Sequence, residues 1–360
     1  MRALQFRAGP QALLKLRRQG GLHPAGVRAV VGASGGPKWL ILAGLDRPLF
    51  GEWLARSRHP IPLLGSSVGA WRMVLYAQSD PVAALDRFRE AYVHEQRYSK
   101  KPDPAEVSRE VRRLLEVALG EDGTETAVAN PYRPLQILTN RMRGNPNPSN
   151  AGLYLRIAAA AGSNLVDRRW LGRWVIRSLF ESPAAQDHVP AMDALPTERQ
   201  ELSSRNLRAV LAATAAIPGL MEVVREIPEA IPGTYLDGGI TDYHPTLAHQ
   251  TGDGIQLMPH FHGQVIPGWF DKKLRHRHNR SAALDDTLLV APSPELIASL
   301  PYGKIPDRRD FMQLDDDQRI AYWKQVLAAS ERMGEEFMEL VEDGALIDRL
   351  QPLDSDEAQR

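Results

Sequence analysis

The 360-residue chain contains no cysteine, which removes disulfides, thiolate metal sites and a cysteine nucleophile together. It also has no excess charge of either sign. Lys and Arg number 44, as do Asp and Glu, so no global field draws in nucleic acid. No apolar run approaches the roughly eighteen residues of a membrane-spanning helix. The first twenty residues, MRALQFRAGPQALLKLRRQG, scatter five basic side chains and lack the apolar core of a signal peptide. These absences predict a cytoplasmic protein with no transmembrane segment. What remains is ordinary globular composition, 43% hydrophobic and 24% charged, with no internal repeat.

Apolar runs bounded by glycine or polar residues predict strands at VRAVVG (27–32), IPLLGSS (61–67) and LQILTN (135–140). Further strands are expected at GTYLDGG (233–239), GIQLMPH (254–260) and DDTLLVAP (285–292). Helices are expected over 10–18, after Pro37, after Ser67, through the charged stretch 81–118, and from Asp317 to Val341. A turn-rich passage, RGNPNPSNAG, occupies 143–152. Strands alternating with helices indicate an α/β layered fold. No composition shift cuts the chain, so residues 1–350 read as one domain, followed by a frayed polar tail over 351–360.

Two G-x-S-x-G matches lie close together: Gly32-Ala33-Ser34-Gly35-Gly36 and Gly65-Ser66-Ser67-Val68-Gly69. Such a serine on a strand-to-helix turn is lifted above the sheet as a nucleophile. Each match follows a strand, and they differ in what comes next. After Ser67 a helix can start at once, and Gly69 leaves room for a neighbouring element. After Ser34 come Gly35, Gly36 and Pro37, a run whose asset is bare backbone. Glycine N–H groups before a helix can meet a developing negative charge. Ser67 is therefore assigned as nucleophile and Ser34, Gly35 and Gly36 as an oxyanion turn. A P-loop would need Gly before Lys38 and Ser or Thr after it, where Pro37 and Trp39 stand. A dinucleotide fingerprint would need glycine in place of Ser34.

A serine needs a base to take its proton. Asp237 ends an apolar run and enters Gly238-Gly239, which suits a carboxylate presented at the same sheet edge; Asp242, in the polar loop beyond, reads as a turn or capping residue. The ordered set Ser34-Gly35-Gly36-Pro37-Lys38, Gly65-Ser66-Ser67-Val68-Gly69 and Asp237-Gly238-Gly239 resembles the patatin-like phospholipases over roughly residues 27–245. The segment AATAAIPGL (212–220) resembles that family's small-residue stretch ending in Ile-Pro. The resemblance implies a three-layer α/β/α fold with a central, mostly parallel sheet. It also implies a Ser67–Asp237 dyad, hydrolysis of acyl esters of lipids, and no cofactor or metal. Two positions depart from the family: Ser34 replaces the first oxyanion glycine, and Trp39 replaces the glycine after Lys38, next to the acyl pocket.

Other readings use the histidines and basic stretches. Asp237 followed by His260 or His262 would satisfy the order of an α/β-hydrolase triad. The pairs His260/His262 and His276/His278 invite a metal, but no acidic cluster joins them, and polar-loop histidines are the preferred reading. Segments 168–180 and 267–280 join tryptophan and phenylalanine to basic side chains and could rest on anionic lipid. Solvated faces with buried aromatics are the plainer reading of both. A non-catalytic lipid-binding module on the same fold completes the alternatives.

Overall fold

The computed structural model describes residues 1–145 and 149–354. In chain order its first elements are β1 (Leu4–Ala8), α1 (Pro10–Gln19), β2 (Val27–Gly32), α2 (Ala43–Pro48), β3 (Leu63–Ser66) and α3 (Val68–Ala77). Then come α4 (Pro81–His94), α5 (Pro104–Leu119), α6 (Gly123–Ala129), β4 (Leu135–Met142), α7 (Asn150–Val166), β5 (Val175–Glu181), β6 (Thr197–Glu201) and α8 (Leu207–Thr214). The chain continues through β7 (Tyr235–Leu236), α9 (Gly239–Asp242), β8 (Ile255–Pro259), β9 (Thr287–Pro292), α10 (Pro294–Ser299), α11 (Asp310–Gln313), α12 (Asp316–Glu342) and β10 (Leu350–Pro352).

The strands form one sheet in the order β10-β1-β9-β8-β2-β3-β4-β5-β6, with β7 paired to β4. Most neighbours are parallel; β1–β9, β4–β5 and β4–β7 are antiparallel. Successive side chains on a strand point to opposite faces, and the core divides accordingly. Val30, Leu63, Ile137, Leu257 and Leu288 pack with buried residues of α3, α4, α8 and α12. Val31, Leu64, Leu138, Met258 and Leu289 pack on the other face with Leu247, Val265 and Leu284. Met142 and Leu236 meet Leu153 of α7 and Ile240 of α9. The expected α/β architecture, with layers on both sides of a mostly parallel sheet, is present. Among the described residues no helix is long and apolar enough to cross a membrane.

Several local expectations need correction. The stretch after Pro37 is not one α-helix: a 3₁₀ turn (Gly36–Leu42) leads into α2, then a π turn (Leu49–Trp53) and a second 3₁₀ turn. Pro48 has no N–H to give the helical ladder, which accounts for the change of pitch there. The charged stretch 81–118 is two helices, each started by an aspartate: Asp80 accepts from Ala83 N–H and Asp103 from Glu106 N–H. The tail is not frayed from residue 351. Gln351 and Pro352 pair with β1, and Leu353 is buried. Residues 355–360, and 146–148 of the turn-rich passage, lie outside the described residues.

The basic-aromatic segment 168–180 is no continuous surface face. Its second half is β5, whose Arg177 is fully buried between Asp242 and Asp193, with four N–O distances of 2.7–3.0 Å. Asp242 is accordingly not a loop cap but the buried partner of that guanidinium. Only the Arg169–Arg173 turn presents its cations outward, with Arg173 stacked on Trp170 at 4.5 Å.

Candidate active site

Strands β3 and β7 bring Ser67 and Asp237 together by running toward each other. β3 pairs in parallel with β4 up to Ser66 opposite Leu138. β7 pairs antiparallel along the same side of β4, with Leu236 opposite Asn140. Both strands stop beside Thr139, and the residue after each is Ser67 or Asp237. Asp237 thus follows the end of a strand and lies against Ser67, as the sequence reading expects. It arrives head-on from the opposite direction.

Ser67 has φ 54° and ψ −131°, a region that L-residues rarely occupy. Such strain persists only where surroundings enforce it, and here they do. The Ser67 N–H donates to Thr214 Oγ1 at 2.8 Å, and the Thr214 hydroxyl donates to the Leu138 carbonyl. Helix α3 begins at the next residue. Gly69 lets α3 touch the end of β2, since a β-carbon there would lie 2.2 Å from the Gly32 carbonyl oxygen. Gly65 packs against the backbone of Ala70 in the same crossing.

The Ser67 hydroxyl donates to Asp237 Oδ2 at 3.0 Å. The other carboxylate oxygen accepts the Gly239 N–H at 2.6 Å. Asn140 Nδ2 holds the loop by donating to the carbonyls of Asp237 and Gly238. Asp237 is buried, and burial raises its pKa, while Arg308, the Gly239 N–H and the Ser67 hydroxyl pull it back. A raised pKa makes a carboxylate a better proton acceptor at neutral pH.

The glycine turn lies beside this pair, with one correction. The Ser34 N–H donates to the Tyr243 carbonyl at 2.8 Å and is not free to meet an oxyanion. The Ser34 hydroxyl donates to Ser66, fastening the turn to β3. The N–H groups of Gly35 and Gly36 have no acceptor in the described fold, as suits residues at the start of the 3₁₀ turn. Gly36 has φ +55°, where glycine is favoured. Trp39 is not beside an acyl pocket. It is buried, stacked on Phe88 at 4.8 Å, and contributes to the core behind the turn.

Ser67, Asp237, Gly35, Gly239 and the side chain of Lys38 line one cleft of about 280 Å³. Ile217 and Pro218, from the small-residue segment, form part of its wall. Tyr243, Trp269, Lys272 and the Asp307–Arg309 loop complete it. No histidine lines the cleft; His260 is fully buried, with Nδ1 against the His262 backbone. Among the described residues no three His, Asp or Glu side chains are grouped to hold a metal.

Sequence reasoning missed Thr214, Asn140, Tyr243, Lys272 and Arg308. Lys272 was visible in the basic-aromatic segment 267–280, whose plainer reading there is a solvated face, with a surface for lipid as the alternative. Arg308 carries no local signal, because nothing in its neighbourhood marks it as near residue 36. No family model, curated protein or solved structure matches the chain.

Proposed function

We propose that the protein is a serine acyl hydrolase that cleaves carboxylic esters through the Ser67–Asp237 dyad. The observation that carries this reading is a strained serine at a strand-to-helix turn, hydrogen-bonded at 3.0 Å to a buried carboxylate whose pKa is raised. As Ser67 Oγ attacks the acyl carbon, its proton passes to Asp237. The carbonyl oxygen becomes an oxyanion facing the Gly35 and Gly36 N–H groups and the N-terminus of α3. The bond to the alcohol oxygen then breaks, and Asp237 returns the proton to the departing alcohol. Water repeats the sequence on the acyl-serine, giving its proton to Asp237 and releasing the acid and free Ser67.

Lipid esters are the substrate class that the motif resemblance implies. Exposed apolar side chains on α7, with Leu155 at 73% and Val166 at 67%, and the outward Arg169 and Arg173 support peripheral contact with an anionic membrane. A fluorophosphonate probe tests the chemistry. We expect one adduct, on the peptide containing Ser67 and absent from that containing Ser34. Ser67→Ala and Asp237→Asn should each lower turnover of a short p-nitrophenyl ester by several powers of ten. A folded protein that neither reacts with the probe nor turns over esters would be the lipid-binding module instead.

A further inference from the structure

One threonine stands between the two strands that carry the dyad. In the parallel ladder of β3 on β4, the Leu63 N–H donates to the Pro134 carbonyl at 2.7 Å, and rungs recur at every second residue. Continued to its end, that ladder would join the Ser67 N–H to the Leu138 carbonyl. In the antiparallel ladder of β7 on β4, the Met142 N–H donates to the Thr234 carbonyl at 2.9 Å, and Leu236 lies opposite Asn140. Its next hydrogen-bonded position would bring the Gly238 N–H to the same Leu138 carbonyl. A β-carbon on Gly238 would lie only 2.2 Å from that oxygen. Two strands thus compete for one acceptor.

Thr214 takes all three groups. It is the last residue of α8 and is fully buried. Its hydroxyl donates to the Leu138 carbonyl and accepts the Ser67 N–H at 2.8 Å, so a side chain is inserted into the last rung of β3. Its own carbonyl accepts the Gly238 N–H at 3.1 Å, and the Ala216 carbonyl accepts the Asp237 N–H at 3.0 Å. From the other side, Asn140 Nδ2 donates to the Asp237 and Gly238 carbonyls at 2.9 and 3.1 Å. The backbone of Asp237 and Gly238 is therefore fixed at both its N–H and its carbonyl groups.

The insertion accounts for the strained serine. A buried N–H must find an acceptor, and the Thr214 hydroxyl meets that of Ser67 when the residue is turned out of the strand to φ 54° and ψ −131°. Both the proton and an acceptor site of that hydroxyl are committed, and the β-branch restricts its swing. The geometry points to Thr214 as a positioning residue that sets nucleophile and base against each other. Its hydroxyl holds Ser67 in the strained turn and its carbonyl holds Gly238, which leaves the serine hydroxyl 3.0 Å from Asp237. Thr214 does not itself line the cleft. The positioning role rests on the serine hydrolase reading; the hold on the Ser67 backbone does not.

Thr214→Val keeps the shape of the side chain and deletes the hydroxyl. We expect kcat on a short p-nitrophenyl ester to fall about a hundredfold with KM within about twofold, because the serine hydroxyl must be in line only for the transition state. Thr214→Ser restores the hydroxyl and should recover about tenfold or more of that loss. Should Thr214→Val not fold, Thr214→Ala leaves space for a water and should still lower kcat about tenfold. Ser182→Ala is the control. It removes a buried hydroxyl that likewise accepts a backbone N–H, from Leu135 at the start of β4 at 2.9 Å. That change should lower the urea midpoint and alter kcat less than about twofold.

A second measurement needs no ester. Glycine is unstrained at φ 54°, so Ser67→Gly should unfold at a higher urea concentration than Ser67→Ala. Thr214→Val frees residue 67 to relax, and in that background the gap between the two midpoints should shrink by about half or more. A gap that Thr214→Val leaves intact, or a folded variant lacking the hydroxyl that keeps the kcat of the unaltered protein, overturns the proposal. A narrowed gap in a protein that cleaves no ester retains the hold of Thr214 on Ser67 and rejects the hydrolase reading instead.

Discussion

At Ser67 the backbone is held in a conformation that costs about 1–3 kcal/mol for a residue with a β-carbon. Glycine escapes that cost and pays about 0.5–1 kcal/mol in backbone entropy instead. Ser67→Gly should therefore be more stable than Ser67→Ala by about 1 kcal/mol, although both are inactive. Urea unfolding of the two variants decides this, and Ser67→Ala as the more stable would show that the turn is unstrained. Asp237 permits a second prediction. It must be ionised to accept the serine proton, and burial raises its pKa. The acid limb of kcat/KM should therefore lie above the value of about 3.9 usual for aspartate, with activity lost as pH falls through the limb. A profile flat down to pH 4 would remove Asp237 as the base.

At the scale of elements, β5 and α9 are joined by charge. Arg177 and Asp242 are both buried, so removing the carboxylate leaves a guanidinium with only Asp193 to answer it. Asp242→Ala should cost about 3 kcal/mol or more, read as a lower urea midpoint with an unchanged slope. A loss typical of surface residues would mean that water or Asp193 compensates fully. This pair also explains a misread segment. Arginines at four-residue spacing within 168–180 look like a helical or interfacial face, but the one in β5 is an interior strand residue whose partner lies 65 positions onward. A local pattern carries no information about a distant counter-charge.

At the scale of the whole molecule, the first and last described strands meet at the sheet edge, where β10 pairs with β1 and Leu353 packs beneath it. Neither strand was legible. LQFRA is too short and too mixed to declare a strand, and residues 351–352 look like a polar tail. Pairing partners nearly the full chain length apart supply what composition does not. The same holds for the cations bordering the cleft, since residues 38, 272 and 308 become neighbours only when three loops gather over the sheet.

The sequence by itself determined the buried strands β2, β3, β4, β8 and β9, the long amphipathic α12, and the residues of the candidate dyad. It could do so because burial on both faces demands unbroken apolar runs, and because a serine or aspartate at a glycine turn leaves a local mark. Tertiary structure alone decided how Ser67 and Asp237 meet, two strands converging along one side of β4. It also decided that the Ser34 N–H is spent on Tyr243, that Trp39 faces the core, and that Lys272 and Arg308 border the cleft. Each of these depends on contacts between residues far apart in the chain, and such contacts are set by how the layers close.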